Sequence, residues 1–185
     1  NAVALKDPVT GEILGYEAQF VGKGELVRGE SLEDTPNAKG GFTSEYVPAT
    51  VDILSTREEV RANDRLLPTP ARGFLSYVPR APEQPVSARV VSIYGGSAFA
   101  NAAQNQVVAI NLGRQDGIES GHVLQLLTGG QRIKDTTDEA KSMIKLPSEK
   151  NGMAMVFRTF DRVSYALILS VRNQVRVGDT LVNPR

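Results

Sequence analysis

Apolar and polar positions alternate over most of this chain, in short runs cut by Gly, Asn, Asp and Pro. That pattern predicts β-strands joined by tight turns. The longest run is Val163 to Val182. Ala166-Leu-Ile-Leu169 is followed by a polar turn at Arg172-Asn-Gln174, an alternating Val175-Arg-Val177, the turn pair Gly178-Asp179 and a closing strand Thr180-Leu-Val182. Upstream, the same reading predicts strands at Ile13–Val21, Ala49–Thr56, Val86–Tyr94, Gln106–Leu112, His122–Leu127, Met153–Phe160 and Val163–Val171. Asp161-Arg162 is the turn of the last hairpin. Residues 1–12 read as turn and coil. Arg57–Asn63 reads as a turn, with room for one helical turn at Thr56–Glu59. Ser97–Gln104 fits a short helix or a loop.

The run repeats itself. Ile53–Leu67 (ILSTREEVRANDRLL) and Ile168–Val182 (ILSVRNQVRVGDTLV) are identical at eight of fifteen positions at a constant offset of 115. Chance would leave one or two, so the spacing predicts a duplicated module. Gly178 of the second copy is replaced by Asn63 in the first, the next best residue for a left-handed backbone. Gly15–Phe20 matches Gly152–Phe157 in spacing. The first copy therefore begins late, and its opening strands are expected before Asn1.

The fold class expected is mainly β, with little helix: two related small β-barrel-like modules arising by internal duplication. Residues 1–70 would be the C-terminal part of the first module, with a long excursion at 22–48. Within that excursion a hairpin is expected between Glu25–Arg28 and Phe42–Val47. Residues 71–85, with Pro79, Pro82 and Pro85, would be a stiff linker, its Phe74, Leu75, Tyr77 and Val78 packed on a module. Residues 86–185 would be the second β module, with a polar excursion at 128–151.

Composition narrows the function classes. Twenty-one Lys+Arg balance twenty-one Asp+Glu, which is not the basic footprint of a nucleic-acid binder. Cys is absent and His occurs once, so a cysteine nucleophile or a His-rich zinc site cannot be built. Aromatics make up 6% and Trp is absent, which argues against a sugar-stacking cleft or a large aromatic interface. No apolar run is long enough to span a membrane.

Several residues invite a chemical reading. His122 with Asp116 and Ser120 invites a triad, but the three share one turn, whereas triad members converge from different elements. Glu17, Glu119 and Asp161 sit at turns or on alternating faces, the ordinary place of solvated acids. Asp135, Asp138 and Glu139 lack the spacing of a calcium loop. Gly95-Gly-Ser97 and Gly129-Gly130 lack the Gly-Lys-Ser/Thr of a phosphate loop. Arg158, Arg162, Arg172 and Arg176, with Arg57 and Arg61 repeating the last pair, read as structural bridges or as a face for acidic partners. No catalytic, cofactor-binding or metal-ligating residue is assigned, and no cofactor is expected.

Several runs carry a family likeness. They are Asn111-Leu-Gly113-Arg114, Asp116-Gly117, Gly121-His122-Val-Leu124, Leu146-Pro147, Val156-Phe-Arg158, Phe160–Ile168 and Val177-Gly-Asp179. In the first copy they are Asp7-Pro8, Thr10-Gly-Glu12, Leu14-Gly15, Glu17-Ala18 and Asp64–Pro68. In these the chain resembles the C-terminal region of LysM peptidoglycan-binding domain-containing proteins of Gram-negative bacteria. The resemblance implies a periplasmic, cell-envelope location and a LysM module N-terminal to this sequence that holds peptidoglycan. It implies a non-enzymatic accessory role as a protein-interaction or spacer module, with an envelope protein as the possible partner. Two alternatives stand beside it: a wall-processing enzyme using paired carboxylates, and a structural component of an envelope assembly. The excursions 22–48 and 128–151 are the expected places for a binding surface.

Overall fold

The computed structural model describes residues 2–36, 38, 40–69, 77–95, 101–130, 132–135, 137 and 142–184. The chain is mainly β, as its alternation predicts. Its strands are β1 (Ala2–Lys6), β2 (Ile13–Ala18), β3 (Gly22–Arg28), β4 (Ser31–Pro36), β5 (Phe42–Val47) and β6 (Thr50–Thr56). They continue with β7 (Ser87–Ile93), β8 (Asn101–Ala102), β9 (Val107–Ile110), β10 (Val123–Thr128), β11 (Arg132–Lys134) and β12 (Met143–Lys145). The last are β13 (Glu149–Thr159), β14 (Ser164–Val171), β15 (Val175–Arg176) and β16 (Thr180–Val182). A single 3-10 turn at Arg114–Asp116 is the helical element among the described residues.

Two compact units emerge: residues 18–72, and residues 2–17 together with 73–185. The second unit is built on a closed antiparallel barrel of six strands in the order β10-β13-β14-β9-β7-β16. Its interior is filled by side chains, as a barrel this narrow requires. Small and large residues face each other across the ladders: Ala154 lies between Leu124 and Ile168, Ala88 beside Leu181, and Ala166 beside Val108. Ile118, Ala102 and Val175 join the same buried cluster. Each of these side chains is withdrawn from water, and that withdrawal is the main force closing the barrel.

Residues 2–17 correct the expected division. Asp7-Pro8 and Gly11-Glu12 dominate that stretch, which by sequence reads as turn and coil. In fact β1 and β2 pair as a hairpin on the barrel's outer wall. Leu5 is buried there against Val91, Ala109 and Val163, with Leu14 and Tyr165 alongside. This explains why Ala109 is buried although its neighbours Val108 and Ile110 point inward. The hairpin turn is held by Asp7, whose Oδ1 accepts the Val9 and Thr10 amides at 2.8 and 2.9 Å. Its Oδ2 accepts the Asn111 amide at 2.6 Å. Asn111 Oδ1 in turn accepts the Arg89 amide at 2.7 Å, tying the turn to the barrel.

These hydrogen bonds, led by the Thr10 amide and then Asn111, pull the Asp7 carboxyl down to about 2 from an ordinary 3.8. A depressed carboxylate stabilises the fold above its unfolded pKa, and that contribution is lost as pH falls through the folded value. Asp7→Asn is therefore expected to melt below wild type at pH 6. The two melting curves should converge near pH 2. A constant difference across that range would show that the loss comes from something other than the charge.

The stretch expected to be a linker is in part tied down. Residues 70–76 lie outside the described residues, and with them Phe74 and Leu75. Val78 is exposed rather than packed. Arg80 bridges His122 in a parallel pair, and Asn183 donates to the carbonyls of Pro82 and Gln84 at 2.9 and 3.0 Å. Asn183 Oδ1 also accepts the Val86 amide at 2.7 Å. Residues 77–86 thus belong to the barrel unit.

Residues 18–72 hold no barrel among the described residues. They form a two-stranded ribbon, β3 with β6 and β4 with β5. The expected pairing of Glu25–Arg28 with Phe42–Val47 is replaced. Glu25 faces Asp52, and Phe42–Val47 pairs with Ser31–Pro36. The cause is register: one more strand on each side of the tip moves every partner outward by a strand. The excursion at 22–48 is therefore ordered ladder. The excursion at 128–151 holds the short hairpin β11–β12 and the start of β13.

The two repeated segments share one local device. Arg61 N donates to Asp64 Oδ2 at 2.8 Å, and Arg176 N donates to Asp179 Oδ2 at 2.8 Å. Asn63 and Gly178 both take positive φ, 77° and 93°. Beyond that turn their surroundings differ. Leu181 is fully buried in the barrel, whereas Leu66 is 71% exposed.

Candidate functional site

On the outer wall of the barrel, β13 and β14 bring together aromatic side chains that the sequence scatters. Tyr165 on β14 stands at the centre. Tyr94 meets it edge-on at 5.6 Å, Phe160 edge-on at 5.9 Å, and Phe157 is stacked at 6.5 Å. The Arg158 guanidinium lies over the Phe160 ring at 5.3 Å, a cation–π contact. The Tyr165 hydroxyl donates to Glu17 Oε2 at 3.0 Å, and Ser92 donates to the same oxygen at 3.4 Å. Burial, followed by the Glu17 charge, pushes the Tyr165 phenol above its ordinary range, so it stays protonated and keeps donating. Glu17 is thereby a clamp between the β1–β2 hairpin and the barrel.

Beside this cluster lies a recess of about 330 Å³, lined by Leu5, Leu14, Tyr16, Phe160, Val163 and Tyr165 among others, with Asp161 and Arg162 at its edge. Tyr16, Tyr94 and Phe160 expose large parts of their rings. Such a surface offers rigid apolar area with polar handles, the composition favoured at protein contacts. The low aromatic content argued against an aromatic interface; the fold gathers what there is. A signal was present in Phe157, Phe160 and Tyr165, three aromatics within nine residues around one hairpin turn.

His122 is buried, and its Nδ1 accepts the Glu119 amide at 3.2 Å. Burial, and then the Arg80 charge, lower its pKa. Asp116 Oδ2 accepts the Gly113 amide at 2.9 Å, closing the 3-10 turn, and Ser120 donates to the Phe157 carbonyl at 3.4 Å. Each of the three holds its own stretch of backbone, and they are not joined to one another. Asp161 pairs with Arg114 at 2.7 Å and Glu119 with Arg80. Asp135 caps Thr137; Asp138 and Glu139 lie outside the described residues. Among the described residues no group of three His, Cys, Asp or Glu side chains is placed to hold a metal ion. Gly95 and Gly129 begin loops that continue outside the described residues or into β11.

The arginines separate. Arg162 pairs with Glu12 at 2.7 Å, Arg176 donates to Asn101 at 3.2 Å, and Arg61 pairs with Glu59 at 3.0 Å. Arg57 lies over the Phe20 ring at 5.8 Å. Arg172 differs from its repeat counterpart Arg57, with its side chain at the edge of a polar recess.

Fold and surface together define a closed six-stranded antiparallel barrel domain with an aromatic outer patch. No protein-family model matches the chain, and no curated protein matches it. No helix among the described residues is long and apolar enough to cross a membrane.

Proposed function

We propose that this chain is a non-enzymatic accessory region of a LysM-type, peptidoglycan-associated protein of the cell envelope, and that it acts as a protein-interaction or spacer module. Peptidoglycan would be held by a LysM module outside this sequence. The observation that carries the reading is the use already made, among the described residues, of the groups a catalytic site would need. The barrel interior is filled with apolar side chains, and His122, Ser120 and Asp116 are spent on their own turns. The aromatic patch around Tyr165 is left open, and it is suited to a protein contact. Asp7, a carboxylate with a displaced pKa, is displaced downward, opposite to what a general acid needs.

The test is co-sedimentation with purified peptidoglycan sacculi, for this chain alone and for the chain fused to a LysM module. Only the fusion is expected to pellet, and sacculi incubated with either protein should release no muropeptides. Pelleting of the chain alone would put a glycan site on the barrel. Released muropeptides would make it an enzyme.

A second reading, a structural part of an envelope assembly, is favoured by the ribbon. Leu26, Leu32, Phe42, Tyr46 and Ile53 are exposed along it, and two-stranded ribbons carry free hydrogen-bonding edges. We also propose, on the repeated sequence and the shared Arg–Asp turn, that residues 53–67 descend from the barrel-closing segment by duplication.

A further inference from the structure

On the outer wall, where β10, β13 and β14 meet at one end of the barrel, a second recess of about 290 Å³ opens. Its lining includes Gln125, Lys150, Asn151, Gly152, Ser170 and Arg172, and no acidic side chain contributes. Gln125, Met153 and Ser170 are register partners in one row across the three strands. Gln125 and Met153 face outward, because Leu124, Leu126 and Ala154 fill the core, and the register shift that leaves Leu169 unpaired between Ile168 and Ser170 turns Ser170 to the same side.

Three features make this a built recess rather than a chance hollow. The first is Gln125. Its side chain is nine-tenths buried (9% exposed) and lines the recess, yet its amide has no hydrogen-bond partner among the described residues. The fully water-excluded unpaired side-chain atoms among the described residues are Thr128 Oγ1 and Ser164 Oγ, so the Gln125 amide keeps its contact with water in the recess, where a ligand oxygen can replace that water. The second is a bulge. Leu126 faces Gly152 and Leu127 faces Lys150, so Asn151 is the extra residue. Bulges re-aim side chains. Asn151 turns inward and clamps the Arg172–Asn173 turn, accepting the Asn173 amide at 2.7 Å and donating to its carbonyl at 2.9 Å. This sets Lys150 and Arg172 on the same rim. The third is charge: among the described residues neither Lys150 nor Arg172 has an acidic partner, whereas Arg28, Arg61, Arg80, Arg114 and Arg162 do.

We propose that this recess is a binding subsite for an oxyanion, a carboxylate or phosphate group of a ligand, held between Lys150 and Arg172 and hydrogen-bonded by the Gln125 amide. The chemistry is that of charge-assisted recognition. A planar guanidinium and an ammonium supply donors, and a neutral amide fixes orientation without adding charge. The inference does not depend on the interaction role proposed above, because it concerns a different face of the barrel.

The test is a ¹H–¹⁵N NMR titration of the intact chain in two arms, inorganic phosphate and N-acetylglutamate. Saturable shifts are expected at the Gln125 side-chain amide and at the Asn151 and Gly152 backbone amides in at least one arm. Saturation by phosphate alone assigns a phosphate ligand, by N-acetylglutamate alone a carboxylate ligand, and by both a general oxyanion site. Lys150→Ala with Arg172→Ala should weaken binding by roughly tenfold or more, as loss of charged hydrogen bonds does. Gln125→Leu should weaken it while leaving the far-UV circular dichroism spectrum unchanged, since it removes an amide that lines the recess and that no other side chain holds. No saturable shift with either probe would overturn the proposal. So would variants that titrate like wild type.

Discussion

Ile168→Ala is expected to destabilise the barrel by about 3 kcal/mol, within the range for large-to-small changes in a packed core, while Ile53→Ala should cost less than about 0.5 kcal/mol. The two residues hold the same position in the repeated sequence. Ile168 is fully buried, in register with Ala154 across the β13–β14 ladder. Ala154 is too small to fill the space that Ile168 vacates, so most of the cavity would remain. Ile53 is 58% exposed on the ribbon, and its truncation removes little buried surface. Chemical denaturation followed by far-UV circular dichroism measures both. Equal losses would mean that Ile53 is covered in solution, and the ribbon would then be half of an interface. The expected inequality means that the same local sequence is held in two different environments.

Gly152→Ala should be as damaging, by about 3 kcal/mol or more, whereas Gly15→Ala should be nearly silent. The two glycines match in spacing within their segments. At Gly152 a Cβ would overlap the Ser170 carbonyl and the Val171 backbone, so β13 and β14 would have to separate. Neither obstacle is the end of a flexible side chain, and a packed barrel resists such a shift. At Gly15 a Cβ meets nothing within 4 Å. Thermal melts of the two variants decide this. A Gly152→Ala protein that melts like wild type would show that the ladder next to the Asn151 bulge yields easily, and the recess beside it would then be less rigid than its hydrogen bonds imply.

The contrast between matched residues shows what could be read from the chain. Strands β7, β9, β14 and β16 fall where alternation and β-branched residues place them. The Asp161-Arg162 turn is found as expected. Asn63 and Gly178 both adopt the left-handed backbone that the substitution of one by the other implies. These features depend on neighbours in sequence: a side chain's fit to a pleat, or the steric freedom of one residue at a turn. The candidate site was far less legible. Tyr94, Phe157, Phe160 and Tyr165 were visible as residues, but nothing local says that Glu17, 148 residues from Tyr165, would clamp one of them. Gln125 carries no signal at all, because an amide in an alternating strand is ordinary until its partners are known.

The positions of β7, β9, β14 and β16, the turn chemistry, the mainly β class and the absence of thiol or His-cluster chemistry were determined by the sequence itself, since each follows from short-range sterics or from which atoms are present. Tertiary structure alone decided which strands pair, that β1 and β2 cover the barrel's outer wall, and that Leu181 is buried while Leu66 in the matching segment is exposed. The physical reason is that pairing and burial depend on which apolar surfaces meet across long stretches of chain. Leu66 and Leu181 are the same residue in the same motif, and only the strands around them differ.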